Sequence, residues 1–275
     1  MRRERRRTSL PGLGLSLGVT LAALGLAVLL PLAALVFSSL SIDAETFRRT
    51  LASPRVLASL RLSFATALSG AAVATLLGGL VTWTLVRYRF PLRRLVDALV
   101  DLPFALPTAV AGITLTTLYG PNGALGKPLA LLGVKVAYAP LGIALALVFL
   151  GLPFAVRTMQ PVLASLDPEV EDAAASLGAT RGQVFARVLL PDLLPAALTG
   201  FTLAFARALG EYGSVVFISG NVPMKTEVAP LLVMTKLEQY DYAGATVLAV
   251  VLLALSFVLL LAINRLQAWT ARGAV

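Results

Sequence analysis

The chain contains no cysteine and no histidine. Without cysteine there are no disulfides, thiolate metal sites or thiol nucleophiles. Without histidine there is no Ser-His-Asp triad, no imidazole base, no HExxH zinc site and no His-ligated haem. Charge is scarce too: 13% of the 275 residues, against about 25% in an ordinary soluble domain. What fills the space is apolar, with 58% hydrophobic residues and a mean hydropathy of +0.86. A soluble fold of this size cannot hide so much apolar surface, so the bilayer must solvate most of it.

A membrane helix needs about 20 mostly apolar residues. Five stretches lack Asp, Glu, Lys and Arg: 8–42, 62–86, 102–126, 136–156 and 242–264. A sixth, 193–224, is equally apolar but carries Arg207 and Glu211. Six spans are expected, at 14–37, 63–86, 100–119, 138–157, 196–218 and 244–264, in an all-α integral membrane protein. The apolar run behind MRRERRR far exceeds a signal-peptide core of about 7–15 residues, and no small-residue cleavage site follows it. Residues 1–13 therefore read as a basic tail and 14–37 as an uncleaved first transmembrane helix. Gly14 and Gly18 form a G-x-x-x-G pair, which can draw helices together; with 22 glycines in the chain, chance explains it as well.

The net charge is +9 and the pI about 10.5. In a soluble domain that balance would suggest nucleic acid. Here the arginines lie between apolar segments and read as topology signals, with no nucleic-acid partner implied. With the N-terminus inside, the cytoplasmic connections hold 14 Lys and Arg and the outer ones 8. The excess favours both termini cytoplasmic.

The largest inside connection, 158–195, has the strongest local signals. Asp167-Pro168-Glu169 is a helix start: a capping side chain, proline at the first helical position, then an acid at the positive end of the dipole. Gly178 stops that helix. Thr180 and Gln183 form a capping box for a second short helix, which Pro191 and Pro195 are expected to close. By these signals alone the loop is either a solvated helical hairpin or a docking element.

The segment EDAAASLGATRGQVFARVLLP, residues 171–191, resembles the EAA loop of ABC-importer permeases: E-A-A, three residues, G, nine residues, I-x-L-P. Alignment on Gly178 puts Asp172 at the acidic position, Ala173 and Ala174 after it, and Val188-Leu189-Leu190-Pro191 at the end. Asp replaces Glu and Val replaces Ile, while Glu171 adds an acid just before. The resemblance implies a type I importer permease fold, with a core over 60–265. In it Glu171, Asp172, Ala173, Ala174, Leu177, Gly178 and Pro191 couple to a cytoplasmic ATP-binding cassette subunit. Small alanines suit close docking, and glycine permits the reversal. The chain has no G-x-x-x-x-G-K-[ST] of its own, so ATP hydrolysis is expected in another subunit. The resemblance implies no cofactor and no metal.

DLPFALPTAVAGITL (101–115) and ARALGEYGSVVFISGNVPMKTEVAPLLV (206–233) are similar to T-type permeases of sulfate and thiosulfate importers. Molybdate permeases share a related R-A-L-G-E-F-G pattern, so molybdate or tungstate is the alternative cargo. The resemblance implies a second, related permease, a periplasmic sulfate/thiosulfate-binding protein, and the cytoplasmic (inner) membrane as location. An ion-gradient-driven carrier is the rival outside this class. Such carriers often hold several buried carboxylates, and here only Glu211 lies deep in an expected span.

The residues support a path through the membrane as well. Pro103 and Pro107 should break the third span. A broken helix either lines a cavity or is only a packed kink. Arg207 and Glu211 lie one helical turn apart and can pair, as a structural lock or as part of a gate. With Thr108, Tyr212 and Ser214 they are the expected pathway or gating residues. Asp97 and Asp101 are expected as interfacial charges beside the arginines of 87–94.

Overall fold

The computed structural model describes residues 13–272. Apart from Leu13, the basic tail therefore lies outside the described residues. All regular structure among them is helical. In chain order the elements are α1 (Leu13–Leu40), α2 (Ala44–Leu51), α3 (Pro54–Arg87), α4 (Arg93–Val100), α5 (Leu102–Ala105), α6 (Thr108–Tyr119) and α7 (Gly126–Leu131). They continue with α8 (Pro140–Ser165), α9 (Pro168–Ser176), α10 (Arg181–Leu209), α11 (Val215–Ser219), α12 (Ala229–Glu238) and α13 (Tyr242–Arg272). Five of these are long and apolar enough to cross a membrane: α1, α3, α8, α10 and α13. The third expected span, 100–119, is made differently, through α6, which has 12 residues.

Small residues let α3, α8 and α10 approach closely. The buried stripe of α3 includes Ser59, Ser63, Ala67, Gly70, Ala74 and Gly78, recurring every three or four positions. Gly151 lies where the three helices meet: a Cβ there would be 3.2 Å from both the Ala74 and Ala204 side chains. A Cβ at Gly78 would lie 2.6 Å from that of Ala155. In lipid, helix association rests on such van der Waals contact, because tails are as apolar as leucine. Phe205, fully buried in α10, fills the adjoining core with Ile143, Leu147 and Val215.

Helix α1 stands apart from this core. None of its residues is buried, as suits a lipid-facing helix, and its second half runs along α13. Gly14 and Gly18 meet nothing within 4 Å, so that pair draws no helix close within the described residues.

Two prolines are accommodated by π turns, and one of them, Pro191, was expected to close a helix. Residues Gly25–Leu29 and Phe185–Leu189 form single π turns, and in each case a proline, Pro31 or Pro191, follows two residues later. A proline removes one backbone donor and clashes with the carbonyl a turn back. The wider π turn shifts the bonding to i→i−5, as in Leu190 N–H to Phe185 O, and relieves that clash. The second helix of the 158–195 connection therefore passes Pro191 and Pro195 and becomes the 29-residue span α10.

The third and fifth expected spans are also redrawn. Asp101 and the extended pair Leu106-Pro107 divide the stretch 93–119 into α4, α5 and α6, because the residue before a proline avoids the helical region. The expected 196–218 helix stops at Leu209; α11 resumes at Val215.

Candidate functional site

The connection 158–195 is a helix, a reversal and a helix. Asp167 caps α9, its carboxylate accepting from the Glu169 N–H at 3.0 Å, with Pro168 first in the helix. Gly178 follows with φ +86°, a region that costs other L-residues about 1–2 kcal/mol. Thr180 then caps α10 with Gln183 as a reciprocal capping box. Asp172, Ala173, Ser176 and Leu177 point to solvent, and Leu177 at 90% exposure is the outermost apolar side chain of the reversal. Glu171 and Ala174 face inward. The structure thus separates the two acids of the motif: Asp172 is free on the outer face, whereas Glu171 is ion-paired with Arg87 at the end of α3. Pro191, the last motif position, lies within α10 just beyond the π turn.

A second group converges in the membrane region. Past the end of α10, the chain turns at Gly210 and places Glu211 in the interior at 2% exposure. One oxygen of Glu211 accepts from both the N–H and the Oγ of Ser214, at 2.8 and 2.9 Å. The other pairs with Arg207, whose side chain is 38% exposed. The expected pair exists, but Glu211 holds the turn after the helix instead of sharing its last face.

The start of α6 packs directly on this turn. Pro107 caps α6 with an extended backbone. A Cβ on Gly213 would lie 2.2 Å from the Thr108 Oγ1, and one on Gly112 would lie 2.4 Å from the Ser214 carbonyl oxygen. The start of α6 at Thr108 therefore meets the 211–214 turn that Glu211 and Ser214 hold. Pro103 is buried in α5, one step removed, and Tyr212, 39% exposed, follows Glu211 in the chain.

Three charge clusters were not legible in the sequence. Asp97 and Asp101 do not pair with the arginines of 87–94. Both bind Arg157 of α8, at 2.7 and 2.6 Å, and Gln160 joins them. That contact holds the Asp97 carboxyl below the usual carboxylate range, chiefly through the Arg157 hydrogen bond. Arg87 is linked to Glu171 as described. On the other end of α3, Arg55 donates Nε and Nη2 to the two oxygens of Glu227, at 2.7 and 2.6 Å. Glu227 is 1% exposed and 172 residues from Arg55. The only sequence signal for any of these was an uncompensated acid or arginine at a span end.

Residues 79–274 match the family described as "Binding-protein-dependent transport system inner membrane component". The chain belongs to that family. It is a multi-pass inner-membrane transport component, not an enzyme. It is 50% identical over 256 residues to the sulfate transport system permease protein CysT of Synechocystis, covering 93% of this chain and 90% of that protein. It is 47% identical over 269 residues to the CysT of Escherichia coli K12, covering 98% and 97%. Among solved structures, a bacterial ABC transporter that imports alginate has the same fold, with a TM-score of 0.73 at 17% identity over 93% of this chain and 94% of that one. The MetNI methionine ABC transporter, inward-facing, matches with a TM-score of 0.60 at 16% identity, over 78% and 96%. The helical bundle described above is thus an ABC-importer permease fold.

Proposed function

We propose that this chain is the transmembrane permease subunit of an ATP-driven importer of sulfate and thiosulfate. The observation that carries the reading is 47–50% identity over nearly the whole chain to sulfate permeases. A separate ATP-binding cassette subunit powers it from the cytoplasm, a periplasmic sulfate/thiosulfate-binding protein delivers the anion, and a second, related permease completes the membrane pore. The alginate transporter is known in complex with its ligand-bound periplasmic protein, an assembly of the same kind.

In this reading α9 and the Gly178 reversal seat in a groove of the ATPase. Exposed Asp172, Ala173 and Leu177 make the contact, Ala174 keeps the helix close to its own bundle, and Pro191 sets the π turn within the adjoining span. ATP-driven closure moves the reversal, and the bundle alternates between inward- and outward-facing states. Within the membrane, Pro103 and Pro107 break the third span, so that Thr108 lies against Gly213, in the turn that Glu211 and Ser214 hold. A neutralised arginine suits a dianion's path, since a bare one would hold the anion too tightly. The hydroxyls of Thr108 and Ser214 can then pass it on.

The test is uptake by the reconstituted assembly. Labelled sulfate should accumulate with internal ATP and binding protein, and not with a proton or sodium gradient alone. Excess thiosulfate should compete and molybdate should not. Gradient-driven uptake without ATP would overturn the reading, and molybdate competition would move it to the neighbouring cargo.

A further inference from the structure

Helix α3 is the longest described span, 34 residues, or about 51 Å at about 1.5 Å per residue. A bidentate or close charge pair fastens it at each end to a different loop. At the inner end Arg87, the last helical residue, pairs with Glu171 of α9. The Arg87 guanidinium also lies 5.6 Å from the ring centre of Trp83. Trp83 in turn meets Phe185 edge-on at 5.8 Å, and Phe185 opens the π turn of α10. Both arms of the cytoplasmic reversal are therefore clasped to one helix end.

At the other end Arg55 holds the buried Glu227 through two hydrogen bonds. Nearby, Ser63 Oγ accepts from the Ala229 N–H at 2.6 Å. Glu227 ends the loop 220–227, which carries Asn221 at φ +45° and Met224 at φ +61°. Non-glycine residues keep such angles only where their surroundings hold them. Between the ends, the small-residue packing of α3 on α8 and α10 leaves no slack, and close-packed interiors transmit strain instead of absorbing it.

We propose that α3 is a connecting rod: Arg87–Glu171 and Arg55–Glu227 are its two fastenings, and they carry displacement of the cytoplasmic reversal to the 220–227 loop on the opposite side. Arg87 and Arg55 act as positioning residues, each through the carboxylate it holds. The inference rests on the importer reading above. Each carboxylate has a distinct duty. Asp172 meets the ATPase, and Glu171 passes the movement inward.

The chain lacks cysteine, so a spin label at Val222→Cys, an exposed loop position (42%), reports on the outer loop in the assembled importer. In the otherwise unsubstituted complex, ATP with vanadate should change the label's spectrum without binding protein. In Arg87→Gln and, separately, in Glu171→Gln, the ATPase should still co-purify and hydrolyse ATP, while the label no longer responds. ATPase stimulation by binding protein should fall about tenfold or more, the scale of a site-to-site coupling. Glu227→Gln should give the same uncoupled result from the other end. The exchange Arg87→Glu with Glu171→Arg should restore the response. A label response that persists in Arg87→Gln and Glu171→Gln overturns the rod, as does failure of a well-assembled charge exchange to restore it. If Arg87→Gln does not assemble, Glu171→Gln, which keeps the side-chain shape, decides alone. Absence of any ATP-driven change in the complex with only the label, while that complex still takes up sulfate with ATP and binding protein, overturns the rod alone; loss of ATP-driven uptake there overturns the importer reading.

Discussion

Gly112 lies flat against the backbone of Ser214. A Cβ at Gly112 would be 2.4 Å from the Ser214 carbonyl oxygen and 2.7 Å from its Cα, distances that no side chain tolerates. Gly112→Ala must therefore push α6 off the 211–214 turn, at an overpacking cost of about 1–3 kcal/mol. The expected result is an assembled permease with a lower melting temperature and reduced sulfate uptake. Normal uptake with an unchanged melting temperature would show that the two segments are not held together as described.

What could be read in advance was what is local. Four of the five charge-free windows became long helices because lipid solvation asks only for a run of apolar residues, and each long helix satisfies its own backbone; the window 102–126 was broken at Leu106-Pro107. The caps at Asp167 and Thr180 and the stop at Gly178 were legible for the same reason: each is settled within four residues. Proline was ambiguous. Pro107 ends a helix where Leu106 turns extended, yet Pro31 and Pro191 are absorbed by a π turn, and nothing in the sequence near them separates the cases. Arg207–Glu211 was legible as a pair, but the end of α10 at Leu209 was not, since the turn depends on the bonds of Glu211 to Ser214. Arg55–Glu227 and Arg157–Asp101 were hidden because 172 and 56 residues separate the partners.

Gly178 has open space around it, with nothing within 4 Å of a Cβ, so bulk alone is not forbidden there. Its φ of +86° is. A β-branched residue should resist that angle by about 1–2 kcal/mol, enough to reshape the reversal while leaving the rest of the chain folded. Gly178→Val should remain in the membrane at normal yield and lose ATPase in co-purification. Gly178→Asn, which tolerates the left-handed region better, should lose less. Equal co-purification for valine and glycine would remove this residue from the docking element.

The arrangement of the ends is open to direct labelling, since introduced cysteines meet no background. Ser176 and Asn122 are both exposed, and the charge balance assigns them to opposite sides. In intact cells an impermeant maleimide should label Asn122→Cys and not Ser176→Cys. Opening the membrane should expose both. The reverse pattern would invert the topology and displace the ATPase from this loop.

Asp241, just ahead of α13, binds Lys236 Nζ at 2.7 Å and accepts from the Gly244 N–H at 2.8 Å. The Lys236 hydrogen bond, then that of Gly244, holds its carboxyl below the usual 3.8, with Arg49 adding a weaker pull. A lowered folded-state value means that the carboxylate contributes stability above its unfolded value. That contribution is lost as pH falls through the folded one. Asp241→Asn should therefore melt earlier than the unsubstituted chain at pH 7 and pH 5. The difference should narrow below about pH 4. A gap that is constant from pH 7 to 3 would show that the charge plays no part.

Arg207 and Glu211 are unequal partners, which makes their variants informative. Glu211 is 2% exposed, whereas Arg207 keeps 38% of its side chain accessible. Removing one member of a buried pair costs about 3–5 kcal/mol when the charge left behind is sealed in. Arg207→Ala strands the buried carboxylate and should approach that cost. Glu211→Gln leaves an arginine that can reach water or headgroups, and the glutamine still accepts from Ser214, so it should cost much less. The order of folded yield should be unsubstituted, then Glu211→Gln, then Arg207→Ala. The charge-free double variant, Arg207→Met with Glu211→Gln, should recover most of the yield lost in Arg207→Ala. Sulfate uptake by that double variant then separates the two roles. Recovered yield with recovered uptake makes the pair a lock that only fastens the turn to α10. Recovered yield without uptake places the charges in the anion's path. Equal yields for all four chains would mean that the pair is not buried in the membrane as described.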